Sequence, residues 1–209
     1  MAFYNRISDT TDIEISSGWD SVADFSVLAK GYASAAERAV ESWNGRGSRR
    51  TDLEAYPILF LYRHALELSI KHVLYRAFEL SRYHLPGEIE EKLQNDHNLQ
   101  RVWQVVSKTL NMLSPNNELM RSVEEAISRT CAELSELDPG SYTFRYPIDR
   151  NGKPISATRR RVNLSAFVEE LNKVLEDLDT LGFALSAEVG VAEDAFTEMV
   201  NAYGLEVVS

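Results

Sequence analysis

The sequence is poor in the residues that staple, bend or span. It has one cysteine, Cys131, so no internal disulfide can form, which fits a reducing compartment. It has six prolines and ten glycines in 209 residues, too few for a turn-rich β architecture. No apolar run approaches the roughly 20 residues that cross a bilayer. The longest, Tyr56 to Tyr62, is stopped by Arg63 and His64. The first residues, Met1 to Arg6, lack the basic-then-apolar pattern of a secretion signal. A cytoplasmic protein with no membrane segment is therefore expected.

The common catalytic motifs are also missing. There is no Gly-rich phosphate loop, no Cys-x-x-Cys, no His-Glu-x-x-His and no Gly-x-Ser-x-Gly. The four histidines stand at 64, 72, 84 and 97. His64 and His72 lie about 80° apart on a helix, too far to share a metal, so no metal site and no cofactor are expected. Cys131 falls on the apolar face of its segment and reads as core rather than as a nucleophile. Basic charge is scarce too. The net charge is −10, which repels phosphate at long range; RNA remains possible as a partner but is not favoured. Two basic clusters, Arg46 with Arg49 and Arg50, and Arg159 to Arg161, read as solvated loop charge.

What the sequence has is helical periodicity. Residues 1–18 show none and form an arm, with a short extended piece at Ile13 to Ile15. Residues 19–209 then read as one helical-bundle domain. Val22, Phe25, Ala29, Tyr32, Ala36, Val40 and Trp43 share one face of a first helix, with Asp20 as its N-cap and Gly45 and Gly47 at its end. A second helix starts near Thr51 or Asp52, with Pro57 in its first turn or at a kink. Its apolar residues, Ile58 to Val73, cover more than half of the circumference, as in a central helix. It fades near Arg82, and Leu85-Pro86-Gly87 breaks the chain before a short acidic turn, Glu88 to Leu93.

Asp96 reads as the cap of a third helix bearing Leu99, Val102, Trp103, Val106, Leu110 and Leu113. A fourth carries Val123, Ile127, Cys131 and Leu134 and ends at Asp138-Pro139-Gly140. Residues 141–161 hold the one β-like alternation, Tyr142, Phe144 and Tyr146, before the turn Asp149 to Gly152; a small hairpin or an ordered loop is expected. Asn163 caps a long helix with Leu164, Phe167, Leu171, Val174, Leu178 and Leu181 on one face. A separate short helix follows Gly190. The fold class is an all-α bundle of about five main helices.

Three features could carry chemistry. The narrow arc of the second helix holds Arg63, His64, Glu67 and Lys71, with Arg63–Glu67 and Glu67–Lys71 as i,i+4 pairs. It is either a surface salt-bridge ladder or a site with Arg63 as anion clamp and His64 as proton carrier. His97 stands at the start of the third helix, as a first-turn residue or as a site residue. Arg145, between Phe144 and Tyr146, either crosses to a helix carboxylate or binds a ligand together with Tyr146.

Together these features resemble the HEPN superfamily of prokaryotic helical domains. Ala65-Leu66-Glu67-Leu68-Ser69-Ile70-Lys71 echoes its Ala-x-Glu-x-x-x-Lys core, and His97-Asn98-Leu99 echoes its His-x-Leu. The resemblance covers roughly residues 52–185. The family's Arg-x-x-x-x-His ribonuclease signature is absent: Leu59, Glu67, Glu79 and Lys92 precede the four histidines by five positions, and none is arginine. The resemblance thus implies a helical bundle that self-associates or pairs with another protein, as in toxin–antitoxin or anti-phage defence systems. Three readings follow: a non-catalytic binding module; a metal-independent ribonuclease rebuilt from Arg63, His64, His97 and Arg145; and a nucleotide or small-anion sensor using Arg63 and Arg145.

Overall fold

The structure, a computed structural model, describes residues 22–47, 52–84, 96–114, 118–139, 141–148, 151–155 and 160–203. The arm at 1–18, the Asp20 cap, the break at Leu85 to Gly87, the acidic turn after it, and Arg49, Arg50 and Arg159 lie outside these residues. The described residues form five helices and no strand: α1 (Ala23–Gly45), α2 (Ala55–His84), α3 (Leu99–Leu113), α4 (Glu118–Leu137) and α5 (Leu164–Tyr203). The chain is an all-α helical bundle.

Helix α2 is central because its apolar arc covers more than half of its circumference. A 3-10 turn, Asp52–Glu54, leads into it. Pro57 sits in its first turn, where the missing N–H would have had no helical partner, so the helix is not broken. Ile58, Tyr62, Leu66, Ile70, Val73, Leu74 and Ala77 are all buried. Burying a side chain of this size stabilises the fold by roughly 1.5–3 kcal/mol, so this helix dominates the core.

Helix α1 runs antiparallel to α2. Phe25 stacks on Tyr75 at the start of α1, and Tyr32 meets His64 further along. Helix α5 runs parallel to α2: Phe167 meets Tyr62, Gly182 lies against His72, and Phe196 meets Tyr83. Helices α3 and α4 form an antiparallel pair in which Trp103 Nε1 donates to Ser128 Oγ at 2.9 Å and Ser107 bonds Glu124. Their buried faces, Leu99 to Leu110 and Ile127 to Leu134, join the same core.

Two local features differ from the sequence reading. The cap of α3 is Asn98, whose side chain accepts from Arg101 N at 2.9 Å; Asp96 instead accepts from Asn98 N and pairs with Arg101. The helix therefore starts two residues later, and Asp96 closes the turn before it. Of the two forms expected at 141–161, the structure has the ordered loop: residues 141–148 form turns, with a lone antiparallel bridge between Ile148 and Pro154. The Tyr142, Phe144, Tyr146 alternation is not a strand because Tyr146 N donates back to Tyr142 O at 2.9 Å. The last two expected helices are one. Asn163 caps α5 as predicted, its side chain accepting from Ala166 N at 3.2 Å, but the helix runs on for 40 residues through Gly182 and Gly190. Each glycine costs about 1 kcal/mol against alanine, less than the buried Leu178, Leu185 and Val189 return.

Gly182 has its own reason. A Cβ there would stand 2.5 Å from His72 Cδ2. The glycine is what lets α5 pass over the imidazole, whose Nδ1 donates to Val22 O at 3.0 Å and ties the start of α1 to α2.

Candidate functional site

The i, i+4, i+8 spacing of Arg63, Glu67 and Lys71 puts them in one row on α2. The row is not at the surface. Arg63 is 1% exposed, Glu67 4% and Lys71 6%. Two segments cover it: the three residues before α3 and the turn after α4.

Arg63 is the hub. Its Nη1 donates to Glu67 Oε2 at 3.0 Å and its Nη2 to the His97 carbonyl at 2.7 Å. Its Nε lies 3.2 Å from Asp138 Oδ2, an ion pair whose angle does not make a hydrogen bond. The other Asp138 oxygen accepts from Tyr142 N at 2.7 Å and Thr143 N at 2.8 Å. Asp138 is 1% exposed. One guanidinium thus fastens α2 to the entry of α3, the exit of α4 and the loop beyond. Ser141 takes a left-handed φ of 63° in that loop, which turns the next two amides back to Asp138.

Glu67 is the second node. Lys71 Nζ donates to its Oε1 at 2.9 Å, and His97 Nδ1 reaches the same oxygen at 2.7 Å. Burial alone would raise this carboxyl. The Lys71 charge, hydrogen bonds from Lys71 and His97, and the Arg63 charge outweigh it and hold the group down to about 2. A carboxylate only accepts, so the His97 Nδ1 carries the hydrogen and Nε2 points away from the pair. The His97 side chain is 49% exposed, the widest opening in the cluster. Two cations, Arg63 and Lys71, face two carboxylates, Glu67 and Asp138, so the cluster balances its charge without a ligand.

The other expected site residues stand apart. His64 makes no hydrogen bond among the described residues. It lies parallel to Phe60 with ring centres 5.7 Å apart and edge-on to Tyr32 at 4.4 Å. Burial lowers its pKa below the usual histidine value; Glu67 opposes this, while Arg63, Arg145 and Lys71 add to it. His64 is therefore an uncharged member of an aromatic stack, not a partner of Arg63. Among the described residues, Arg145 reaches no helix carboxylate. Its Nε donates to Ser141 O at 2.6 Å, and its guanidinium lies 5.4, 5.6 and 5.3 Å from the rings of Phe60, Tyr142 and Tyr146. The aromatic faces attract the cation and clamp the loop onto α2. Tyr146 is 49% exposed on the outside of this clamp.

Cys131 is buried beside Arg63, and burial pushes its thiol up to about 12 although the Arg63 charge pulls the other way. No group of three or more metal-binding side chains occurs among the described residues. Of the basic clusters, Arg46 pairs with Glu54, and Arg160 lies 3.6 Å from Glu136. Both sit in loop or end positions.

Asp138 is the member that sequence reasoning missed. In the sequence it stands as punctuation before Pro139-Gly140, where a short polar residue ordinarily ends a helix. No local signal distinguishes a helix-ending aspartate from one that anchors a buried arginine 75 residues earlier.

Comparison with protein-family models, with curated proteins and with solved structures returns no match. The functional reading therefore rests on the residues and their geometry.

Proposed function

We propose that the chain is a non-catalytic, HEPN-like interaction module that self-associates or serves as a subunit of a prokaryotic defence or toxin–antitoxin type assembly. The observation that carries this reading is the closure of the polar cluster. Arg63, Glu67, Lys71 and Asp138 are buried, charge-balanced and occupied with one another and with backbone groups. A catalytic or anion-binding arginine needs free donors at an open surface. Each Nη of Arg63 is hydrogen-bonded inside the fold, and its Nε faces Asp138. The cluster acts as a joint that sets how α3, α4 and the 141–148 loop dock on α2.

The test pairs two measurements on the full chain. Incubation with single-stranded RNA in the presence of a chelator is expected to leave the RNA intact. Sedimentation is expected to give a mass above the monomer, or a monomer that gains mass with the product of a neighbouring gene. A strictly monomeric particle that takes up no such partner would refute the reading.

One observation favours a second reading, a metal-independent ribonuclease. The Glu67–His97 hydrogen bond orients an imidazole whose other nitrogen reaches the half-exposed side. A buried carboxylate behind a histidine is a competent arrangement for moving protons. RNA cleavage that disappears in His97→Ala while the helical circular dichroism is retained would select this reading over the first.

A further inference from the structure

Arg145 keeps the free donors that Arg63 lacks. Arg63 is buried, and each of its Nη groups is hydrogen-bonded inside the fold. Arg145 is exposed. Its Nε is held by the Ser141 carbonyl, and the rings of Phe60, Tyr142 and Tyr146 stand round its guanidinium. Among the described residues, its Nη1 and Nη2 make no hydrogen bond and no ion pair. Rings meet a guanidinium through its faces, whereas hydrogen bonds run along its edge, so the aromatic clamp leaves the Nη edge available. The clamp also fixes the group before any ligand arrives, which lowers the ordering cost of binding.

The surroundings indicate what this edge takes. The charges that act on His64, which stacks on the same Phe60, come from Glu67, Arg63, Arg145 and Lys71. Glu67, Arg63 and Lys71 are paired with one another and with Asp138, which leaves Arg145 as the uncompensated cation of the group. Asp149 and Arg150, which follow in the sequence and lie outside the described residues, cancel in formal charge. Beside the Nη edge the chain continues as Tyr146-Pro147-Ile148, exposed at all three positions, with Tyr146 at 49% and Ile148 at 48%. A fork of two N–H groups matches one carboxylate, and the apolar surface next to it matches a ring. Tyrosine and arginine are the residues on which binding energy concentrates at interfaces. A nucleic-acid strand is the poorer match: its successive phosphates call for several cations and would meet a net charge of −10.

We infer that Arg145, with Tyr146 and Ile148 beside it, is a docking site for an aspartate or glutamate of a partner protein that carries an aromatic side chain next to it. This inference rests on the interaction-module reading and names the chemistry that the partner presents. The carboxylate pairs with the Nη edge and the ring packs on Tyr146-Pro147-Ile148. The loop that Asp138 and the buried Arg63 fix in place is thus also the loop that meets the partner.

The probe is the capped dipeptide N-acetyl-glutamyl-tryptophan amide, titrated into the isotope-labelled full chain and followed by NMR at the Arg145 Nε–H and the Tyr146 amide. Three controls accompany it: the analogue with glutamine for glutamate, the analogue with alanine for tryptophan, and adenosine monophosphate. The glutamate–tryptophan compound is expected to shift both signals saturably and to bind about fivefold or more tightly than either peptide analogue, and more weakly as salt rises. Arg145→Lys keeps the charge and loses the fork, and Tyr146→Ser removes the exposed ring; each should weaken binding about fivefold or more with the helical circular dichroism retained. Equal binding of the glutamine analogue, no shift at millimolar dipeptide, or affinity unaltered in both variants overturns the inference. Tighter binding of adenosine monophosphate at the same signals makes the occupant a nucleotide and overturns it as well. If the dipeptide does not bind while the full chain still gains mass with itself or a partner, the inference fails and the interaction-module reading stands. A chain that binds the dipeptide at Arg145 but stays monomeric and takes up no partner keeps the carboxylate site and loses that reading.

Discussion

Replacing Glu67 by glutamine keeps the shape of the side chain and removes its charge from the centre of the cluster. The carboxyl sits at about 2 in the folded chain against an ordinary 4.5. At 1.36 kcal/mol per pH unit, that gap is worth about 3 kcal/mol of stability when the group is fully ionised. The folded-state pKa is the depressed one, so the contribution is complete above 4.5 and disappears as the pH falls through 2. At pH 3 about half of it should remain, because the folded carboxylate is still ionised while the unfolded one has taken up its proton. Urea unfolding followed by circular dichroism, on the parent and on Glu67→Gln, measures both values. The variant should lose about 3 kcal/mol at pH 7 and only about half as much at pH 3. Removing one member of a buried ionic group ordinarily costs 3–5 kcal/mol, which agrees. A loss under about 1 kcal/mol at pH 7, typical of an exposed ladder, would refute the buried-network account; so would a loss that does not change between the two pH values.

Three further outcomes are expected. Gly182→Ala should lower Tm, since the new Cβ would meet His72 at 2.5 Å; overpacking of this kind costs about 1–3 kcal/mol, and a helix-propensity gain with no loss of stability would contradict the close approach. His72 has its pKa lowered by burial, opposed by its bond to Val22, so stability should fall as the pH drops below 6.5, where the unfolded chain protonates first; His72→Gln should flatten the Tm profile between pH 7 and 5. Arg145→Ala should cost about 1 kcal/mol and speed hydrogen exchange at the amides of Arg145 and Tyr146, while α1 and α5 keep their protection.

Much of the architecture was legible in the sequence because amphipathic periodicity is a local property. The faces of α1, α3 and α4, the central place of α2 and the Asn163 cap all follow from residues within a few turns of one another. The misreadings share a cause. Gly190 looked like a boundary because helix propensity is summed over neighbours, yet the helix continues on the burial of Leu185 and Val189 against α2, which no window along α5 contains. Tyr142, Phe144 and Tyr146 left a hairpin and an ordered loop both open; Arg145 gathers its aromatic neighbours round one guanidinium, and a turn delivers that. Asp96 and Asn98 are both good capping residues two positions apart, and the choice between them depends on where Arg63 holds the His97 carbonyl.

The polar row on α2 shows where local reasoning stops. The spacing of Arg63, Glu67 and Lys71 was visible, and so were the apolar neighbours that argued against a clean solvent face. What decides between a ladder and a joint is whether something covers the row, and the covers come from His97 and Asp138, 34 and 75 residues from Arg63. With those covers in place, each charge has an opposite charge or a backbone dipole within 3.2 Å. Such a cluster gains little net stability over apolar packing, because desolvation offsets most of the attraction. Its consequence is selectivity among docked arrangements: a shift of α3 or of the α4 exit would strand a buried charge, whereas a shift between apolar faces costs less. The central helix therefore uses its broad apolar arc to collapse the bundle and its narrow polar arc to fix where the neighbouring segments come to rest.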